Sequence, residues 1–478
     1  MKKNTTLENI TIEKLVFWWK GFARLDDGRV CFITWWAIPW SRVNLKVIKK
    51  KRDFVEAQII EVIEKSSIET WGYEVTPGAP WINIEYSEQL KIKDAQVKEA
   101  LFHCKKYQDR IPHLPIIPMD ITFWYRNKIE FSFWKYISHR ENIFENFNIW
   151  FHKRWDFSRV LDFSECILIN QMQNDIYKDI RKYSQESWLP VYDQKTWTWF
   201  WRHLMIRGMH FSQEVFLVFS FNPNYFENID LKVWELAKLK NFITEELIPK
   251  HHQITSVYIS HNTNKADILI WDLELVYWNE TISELLLWYS FDIGPKSFFQ
   301  TNSIWAEKLY SLVRDFALNS EQNQWNISNK RTLWTVLDLY AGTWTIGIIF
   351  SDIAQEVISV ELVEEASRNW EKNAQKNRIQ NMRFVNAKVE DFLDEYIIQQ
   401  DADNADKNLL IIDPPRAGMH PKALPNILRF WTQQIIYVSC AAIRRNLSTI
   451  SNTLRTWNKM NLATCLLSVK SVTVNFTH

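Results

Sequence analysis

From about residue 291 onward, short apolar strands alternate with helical runs, and no other feature of the chain restricts its fold as much. Strands are predicted at Thr335–Leu339, Glu356–Val360, Met382–Asn386, Asn408–Ile412 and Gln434–Ser439, with helices such as Val363–Asn377 and Val389–Tyr396 between them. Consecutive strands joined by helices form a parallel sheet with crossovers, because a hairpin cannot connect parallel neighbours. The expectation is an α/β, Rossmann-like domain over residues 291–478.

Two further regions precede it, as suits 478 residues at roughly 150 per domain. Residues 1–66 predict five short strands, at Ile12–Phe17, Gly21–Leu25, Arg29–Thr34, Arg42–Val47 and Val55–Ile63, with Asp26-Asp27-Gly28 as a hairpin turn. So many strands in so few residues suggest a small barrel of the oligonucleotide-binding type. Lys49-Lys50-Lys51-Arg52, between its last two strands, reads either as a phosphate-contacting loop or as a solvated turn. Residues 67–290 predict a mixed α/β region, with a helix over Tyr86–Lys106, strands at Ile129–Phe133 and Val215–Phe221, and a helix over Leu231–Leu247. Its basic and aromatic clusters, Trp124–Lys128, Phe151–Arg154 and Arg202-His203, are candidates to clamp single-stranded RNA.

A net charge of +1 excludes a global electrostatic attraction to a polyanion, so any nucleic-acid surface must be local. The five cysteines are scattered, without a C-x-x-C pair, which suits a reducing compartment. There is neither a signal-peptide run nor a stretch long enough to cross a membrane. The expectation is a soluble, cytoplasmic monomer.

Tryptophan and glycine are out of proportion. The chain has 26 Trp and 9 Gly, where ordinary usage of ~7% Gly gives roughly 33 glycines in this length. Together the two types number 35. Trp18-Trp19, Trp35-Trp36 and Trp40 fall where short strands turn over, and Trp344 falls in a loop expected to pass close to a ligand. Turns with positive φ accept glycine at no steric cost, and indole is the worst substitute. The expectation is that many of these residues are glycine in the cell, through UGA codons that the host reads as glycine.

Chemistry-bearing residues lie at the strand tips. Val336–Gly347 is an apolar strand that ends in an acidic residue and a small-residue loop opening a helix, a loop that lets backbone approach a ligand. With glycine at 344 the loop would read Gly-Thr-Gly, as in many adenosylmethionine binders; as written, the indole of Trp344 is expected to obstruct a cofactor. Nineteen residues after Gly342, Glu361 ends the second strand, where a carboxylate can accept from ribose hydroxyls. The fourth strand ends Asp413-Pro414-Pro415-Arg416, whose prolines stiffen the turn that presents Asp413. An acid followed by Pro-Pro here is moderately specific for methyltransferases acting on planar nitrogen-containing rings, and Arg416 in place of an aromatic points away from amino methylation. The fifth strand ends Val438-Ser439-Cys440. Carbon 5 of uracil is too weak a nucleophile to take a methyl group unaided, and a thiolate adding to carbon 6 makes it one.

Assembled, these residues resemble the RNA uracil-C5 (5-methyluridine) methyltransferase family over nearly the whole length. Tyr125–Phe133, Ser297–Asn302, Asp413–Arg416 and Val438–Cys440 match its motifs, and residues 1–66 resemble its TRAM domain. The resemblance implies S-adenosylmethionine as cofactor, Gln300, Tyr340, Glu361 and Asp413 as its binding positions, Asp413 also facing the base, and Cys440 as nucleophile. It implies RNA as partner, 23S ribosomal RNA more than transfer RNA.

Three departures from the family pattern stand out. Many members hold a four-iron cluster on cysteines after the TRAM domain; the stretch around Trp71–Tyr86 has none and Cys166 matches only the fourth position, so no iron–sulfur cluster and no metal site are expected. Ala441-Ala442 follows Cys440 where the family has Asn-Pro or Asp-Pro. The family's base is a Glu near the C-terminus; the sequence ends Asn475-Phe476-Thr477-His478 before such a residue, which leaves the base unassigned, with His478 as a substitute. Two other readings remain open: a catalytically impaired RNA-binding protein on the same scaffold, and an amino-directed nucleic-acid methyltransferase.

Overall fold

The structure, a computed structural model, describes residues 4–16, 20–34, 37–70, 78–102, 114–135, 147–153, 156–160, 163–270, 272–318, 333–342, 344–398, 408–415, 418–420, 422–429, 432 and 434–438. Described residues of Met1–Pro118, Pro414–Leu428 and Tyr437–His478 group into one compact unit, and those of Met119–Asp413 and Arg429–Ile436 into a second.

In the first unit, β1 (Thr6–Thr11), β2 (Lys14–Val16), β3 (Lys20–Arg24), β4 (Val30–Thr34), β5 (Arg42–Lys50) and β6 (Phe54–Glu64) form a six-stranded sheet in the order β1-β5-β6-β4-β3-β2. The two edge strands, β1 and β2, are consecutive in the chain, so the sheet curls back on itself. At the seam, Ile12 N–H donates to Ser41 O and Glu13 N–H to Phe22 O. The sequence predicts five strands and the structure has six. The extra strand is β1, whose polar residues lack period-2 alternation and whose pairing with β5 shifts register between Leu7 and Ile10. Alternation in the remaining strands buries Leu15, Ala23, Cys31, Ile33, Val43, Leu45, Val47, Val55 and Ala57 as a core. Helix α1 (Tyr86–Phe102) follows.

The second unit holds two larger sheets. β7 (Lys128–Trp134), β8 (Asn148–Trp150), the short pair β9 (His152–Lys153) and β10 (Asp156–Val160), α2 (Gln171–Glu186), β11 (Trp201–Gly208), β12 (Val215–Phe221), α3 (Ile229–Asn241), a wider-wound turn Phe242–Leu247, α4 (Ile248–Lys250), β13 (Ile254–His261) and β14 (Asp272–Trp278) follow in order. Six of these strands form a sheet in the order β14-β13-β12-β11-β7-β8. β12 and β13 pair in parallel across the α3–α4 connection, while β11 pairs antiparallel to both neighbours. Every residue of β11 and β12 is buried, as strands covered on both faces must be. Next comes a hairpin of β15 (Ile282–Leu286) and β16 (Tyr289–Ile293).

The last sheet follows α5 (Ser303–Leu318). It is built from β17 (Leu333–Leu339), α6 (Thr345–Phe350), β18 (Ala354–Glu361), α7 (Glu364–Lys376), β19 (Met382–Asn386), α8 (Val389–Ile398), β20 (Leu409–Ile412), α9 (Ala423–Arg429) and β21 (Gln434–Tyr437). Strand order is β19-β18-β17-β20-β21, with β17 parallel to β18 and β20, and β18 parallel to β19. Thr432 Oγ1 donates to Asn408 O over 2.6 Å, joining the starts of β20 and β21, so these two also run side by side in one direction. All five strands predicted from the sequence are present. Among the described residues no helix is long and apolar enough to cross a membrane.

Candidate active site

The strand order turns around between β17 and β20. In open parallel sheets ligands bind beyond the carboxyl ends of the strands at such a switch point, because the two chains leave it in opposite directions and open a crevice. Asp413 stands there at the tip of β20, its N–H donating to Leu339 O of β17 over 3.3 Å. After β17 the chain enters a loop with Tyr340 at φ +60°, Gly342 at φ +55° and Trp344 at φ +57°. A Cβ added to Gly342 would meet nothing within 4 Å, so the loop has open space beside it.

Glu361, at the tip of β18, holds this loop. Its Oε2 accepts from Gly342 N–H at 3.0 Å, and its Oε1 accepts from Leu362 N–H at 2.9 Å and Val363 N–H at 3.1 Å. A carboxylate has about four acceptor positions; three backbone donors leave room for a ribose hydroxyl. Trp344 is buried, edge-on to Phe384 with ring centroids 4.9 Å apart.

Beneath the loop lies Asp338, fully buried within β17. Its Oδ2 accepts from Gly347 N–H of α6 at 3.1 Å and from Ser359 Oγ of β18 at 3.3 Å, which staples strand, helix and neighbouring strand together. Gly347 is required at this contact: a Cβ there would come within 2.4 Å of Ser359 Oγ and 2.6 Å of Met382 Cε. Loss of water pushes the Asp338 carboxyl up to about 8, with the charge of Asp413 adding to the effect. Burial likewise pushes Asp413 up to about 7. Tyr310 of α5 is buried between these groups; its hydroxyl is hydrogen bonded to Gln300, and its pKa is raised by burial and then by the charge of Asp413. Gln300, Tyr310, Asp338 and Asp413 therefore share one locality, and Glu361 anchors the loop above it.

Two sequence motifs that lie far apart in the chain meet here. Asn127 donates through Nδ2 to Gln300 O at 2.8 Å and to Ser303 Oγ at 2.9 Å, and its own N–H donates to Thr301 O at 2.8 Å. Ser303 Oγ donates in turn to Glu284 Oε2 at 2.6 Å, and Arg207 Nη1 reaches Ser297 O at 3.1 Å. Tyr125–Phe133 and Ser297–Asn302 thus form one hydrogen-bonded brace that fixes Gln300.

Of the sequence-predicted site residues, the structure sets Gln300 and Asp413 both near Tyr310, puts Tyr340 on the loop at the switch point, and has Glu361 at the tip of β18 holding that loop. Cys440, with Ser439 and Arg416, lies outside the described residues, as do 71–77 and 441–478. Asp338 and Tyr310 were missed as site residues. Asp338 has a legible signal, a lone acid inside the apolar run Val336-Leu337-Asp338-Leu339; Tyr310 is one of several aromatics on a helix and has none. The clamp expectation needs correction: Arg126, Arg202 and His203 are buried, and the Arg202 guanidinium lies 3.7 Å from the centre of the Tyr192 ring, so they are interior groups rather than a surface for RNA. Lys49, Lys50, Lys51 and Arg52 are exposed at the β5–β6 turn. Cys166 is buried, its thiol pushed up to about 11 mainly by loss of water.

Comparison with known proteins agrees with this geometry. The family model for tRNA (uracil-5-)-methyltransferase matches residues 251–463. An uncharacterised RNA methyltransferase of Clostridium tetani is 32% identical over 445 residues, covering 92% of this chain and 90% of the relative. One from Caldanaerobacter subterraneus is 33% identical over 405 residues, covering 84% and 82%. The crystal structure of the Pyrococcus abyssi tRNA (uracil-54, C5)-methyltransferase in complex with S-adenosyl-L-homocysteine shares the fold, with a TM-score of 0.65 at 20% identity over 94% of this chain and 93% of that one. The chain belongs to the RNA uracil-5 methyltransferase family, enzymes whose methyl donor is S-adenosylmethionine.

Proposed function

We propose that this enzyme methylates carbon 5 of a uridine in structured RNA, 23S ribosomal RNA in particular, through a covalent bond between Cys440 and carbon 6 of the base. The observation that carries the reading is the side-by-side exit of β20 and β21 from one sheet edge. The first strand leads into Asp413-Pro414-Pro415-Arg416 and the second into Val438-Ser439-Cys440. A carboxyl poised near 7, and a cysteine three residues beyond the end of the neighbouring strand in the sequence, suit chemistry on a pyrimidine ring.

Gln300, Tyr340, Glu361 and Asp413 hold S-adenosylmethionine, with Glu361 accepting from its ribose at the tip of the second strand. When bound, the cofactor supplies an electrophilic methyl group. Addition of the Cys440 thiolate to carbon 6 moves the ring electron pair toward carbon 5 and the adjoining carbonyl, so that carbon 5 becomes the nucleophile. After methyl transfer, loss of the carbon 5 proton to a base returns electrons to the ring and breaks the sulfur–carbon bond. Asp413, facing the base, holds or releases a proton near neutrality. Residues 1–66 are a TRAM-type RNA-binding module that uses Lys49–Arg52 on phosphates, 67–290 a central RNA-binding domain and 291–478 the methyltransferase domain of a cytoplasmic monomer.

The test is methyl transfer to host RNA by the parent chain and by Cys440→Ser. Loss of transfer to background with cofactor binding retained supports the reading. Transfer that survives the substitution points to amino methylation instead, and a parent chain that binds RNA but transfers nothing points to a non-catalytic scaffold. Mapping 5-methyluridine in 23S ribosomal RNA and transfer RNA, with and without the gene, identifies the substrate.

A further inference from the structure

We infer that Trp40, Trp124, Trp188, Trp197, Trp278 and Trp344 occupy positions that are glycine in the cellular protein, at UGA codons that the host reads as glycine. The inference does not rest on the reaction. It rests on backbone conformation, which an amino-acid count cannot reveal. Among the described residues, twelve other than glycine have positive φ, and these six tryptophans, at φ between +50° and +67°, are half of them. Tryptophan makes up 26 of 478 residues, so chance would place roughly one or none in such a set. Left-handed backbone is uncommon outside glycine, and where it does occur the short polar Asn and Asp lead.

At four of the six positions the local structure calls for glycine on separate grounds. Ile38-Pro39-Trp40-Ser41 is a β-turn, closed by Ser41 N–H donating to Ile38 O, with proline at its second position and Trp40 at φ +67° in its third. That is the geometry in which a turn of type II demands glycine. Helix α2 ends with Ser187 as its last right-handed residue, and Trp188 follows at φ +56°. This is the position after the cap at which glycine most often ends a helix. Trp197 closes the hairpin loop between Asp193 and Thr198, its N–H donating to Asp193 O. Trp344 precedes α6 in left-handed conformation and makes no side-chain cap.

The side chains gain little in exchange. Trp188 is 92% exposed and Trp278 75% exposed, so their rings contribute almost no buried apolar surface. The buried one of the six is poorly served as well: the indole N–H of Trp344 is enclosed without an acceptor. A buried donor that has lost water costs free energy unless it is paired, and indole normally finds a partner. Glycine has no such group to satisfy.

At position 344 the consequence reaches the active site. Glycine there turns Gly342-Thr343-Trp344 into Gly-Thr-Gly and removes an indole from a loop whose other glycine already has open space beside it. The substitution replaces an indole packed against Phe384 and gives the loop after β17 a second glycine.

The decisive experiment reads the codons at the six positions and sequences, by mass spectrometry, the peptides of the full-length protein isolated from its own host. UGA codons with glycine in the peptides containing positions 40, 188 and 344 are expected. A UGG codon or an indole-bearing peptide at any of these three overturns the inference. A recombinant comparison gives an independent readout. Replacing all six (Trp40→Gly, Trp124→Gly, Trp188→Gly, Trp197→Gly, Trp278→Gly and Trp344→Gly) is expected to raise the thermal midpoint of the full chain, and a lowered midpoint would contradict it.

Discussion

Asp338 is a carboxyl kept from water within β17, and Asp413, half-buried at the tip of the adjacent strand, adds a like charge that raises the cost of ionising it. The sign of the pH dependence follows from that. A carboxyl whose folded pKa lies above its ordinary 3.8 holds its proton in the folded state while the unfolded chain has released it, so stability is present in acid and lost as pH rises. For Asp338 the loss spans the window from 3.8 to about 8. Asp338→Asn, which keeps the shape and cannot ionise, is therefore expected to flatten the fall in thermal midpoint across that window in the cofactor-free chain. A slope equal to that of the parent would show that Asp338 does not carry the effect. Asp413→Asn is expected to remove a step in the pH–rate profile near 7 and, by the same linkage, to flatten the fall in thermal midpoint between 3.8 and about 7.

At the scale of elements, the brace between β7 and the segment 297–302 carries most of the positioning. Asn127 is buried and spends its side-chain amide on Gln300 O and Ser303 Oγ, so Asn127→Ala strands two acceptors. The expected cost is about 1–3 kcal/mol by chemical denaturation, with weakened S-adenosylhomocysteine binding because Gln300 loses its anchor. Unchanged cofactor affinity at reduced stability would make the brace merely structural. The β5–β6 turn is a separate element with a separate prediction. Neutralising Lys50 and Lys51 together is expected to reduce the salt dependence of RNA binding by roughly one phosphate contact per charge, without altering cofactor binding.

For the whole molecule, what the sequence reveals follows physical range. The five strands of the last sheet are legible because apolar runs ending in Asp, Glu or Cys are local patterns, and Met382–Asn386 and Val215–Phe221 are found where expected. Strand order is not local, so the switch point that unites Leu339 with Asp413 appears only in three dimensions. Tyr310 and the Asn127–Gln300 brace escape sequence reading for the same reason: their partners are remote in the chain. The clamp expectation for Arg202 and His203 errs because charge next to aromatics looks alike on a surface and in an interior, and burial alone separates the two. Five predicted strands become six at the N-terminus because β1 is held by pairing with β5 rather than by its own alternation.

The proposed methyl transfer depends on a sulfur bond to the pyrimidine ring. Host 23S ribosomal RNA carrying 5-fluorouridine, incubated with S-adenosylmethionine and the full chain, offers a direct measurement, since fluorine cannot leave carbon 5 as the proton does. A denaturant-stable protein–RNA complex is expected, with the RNA attached at Cys440 in the digested peptide and absent from Cys440→Ser. Release of methylated RNA with no such complex, or attachment at another residue, would contradict the account.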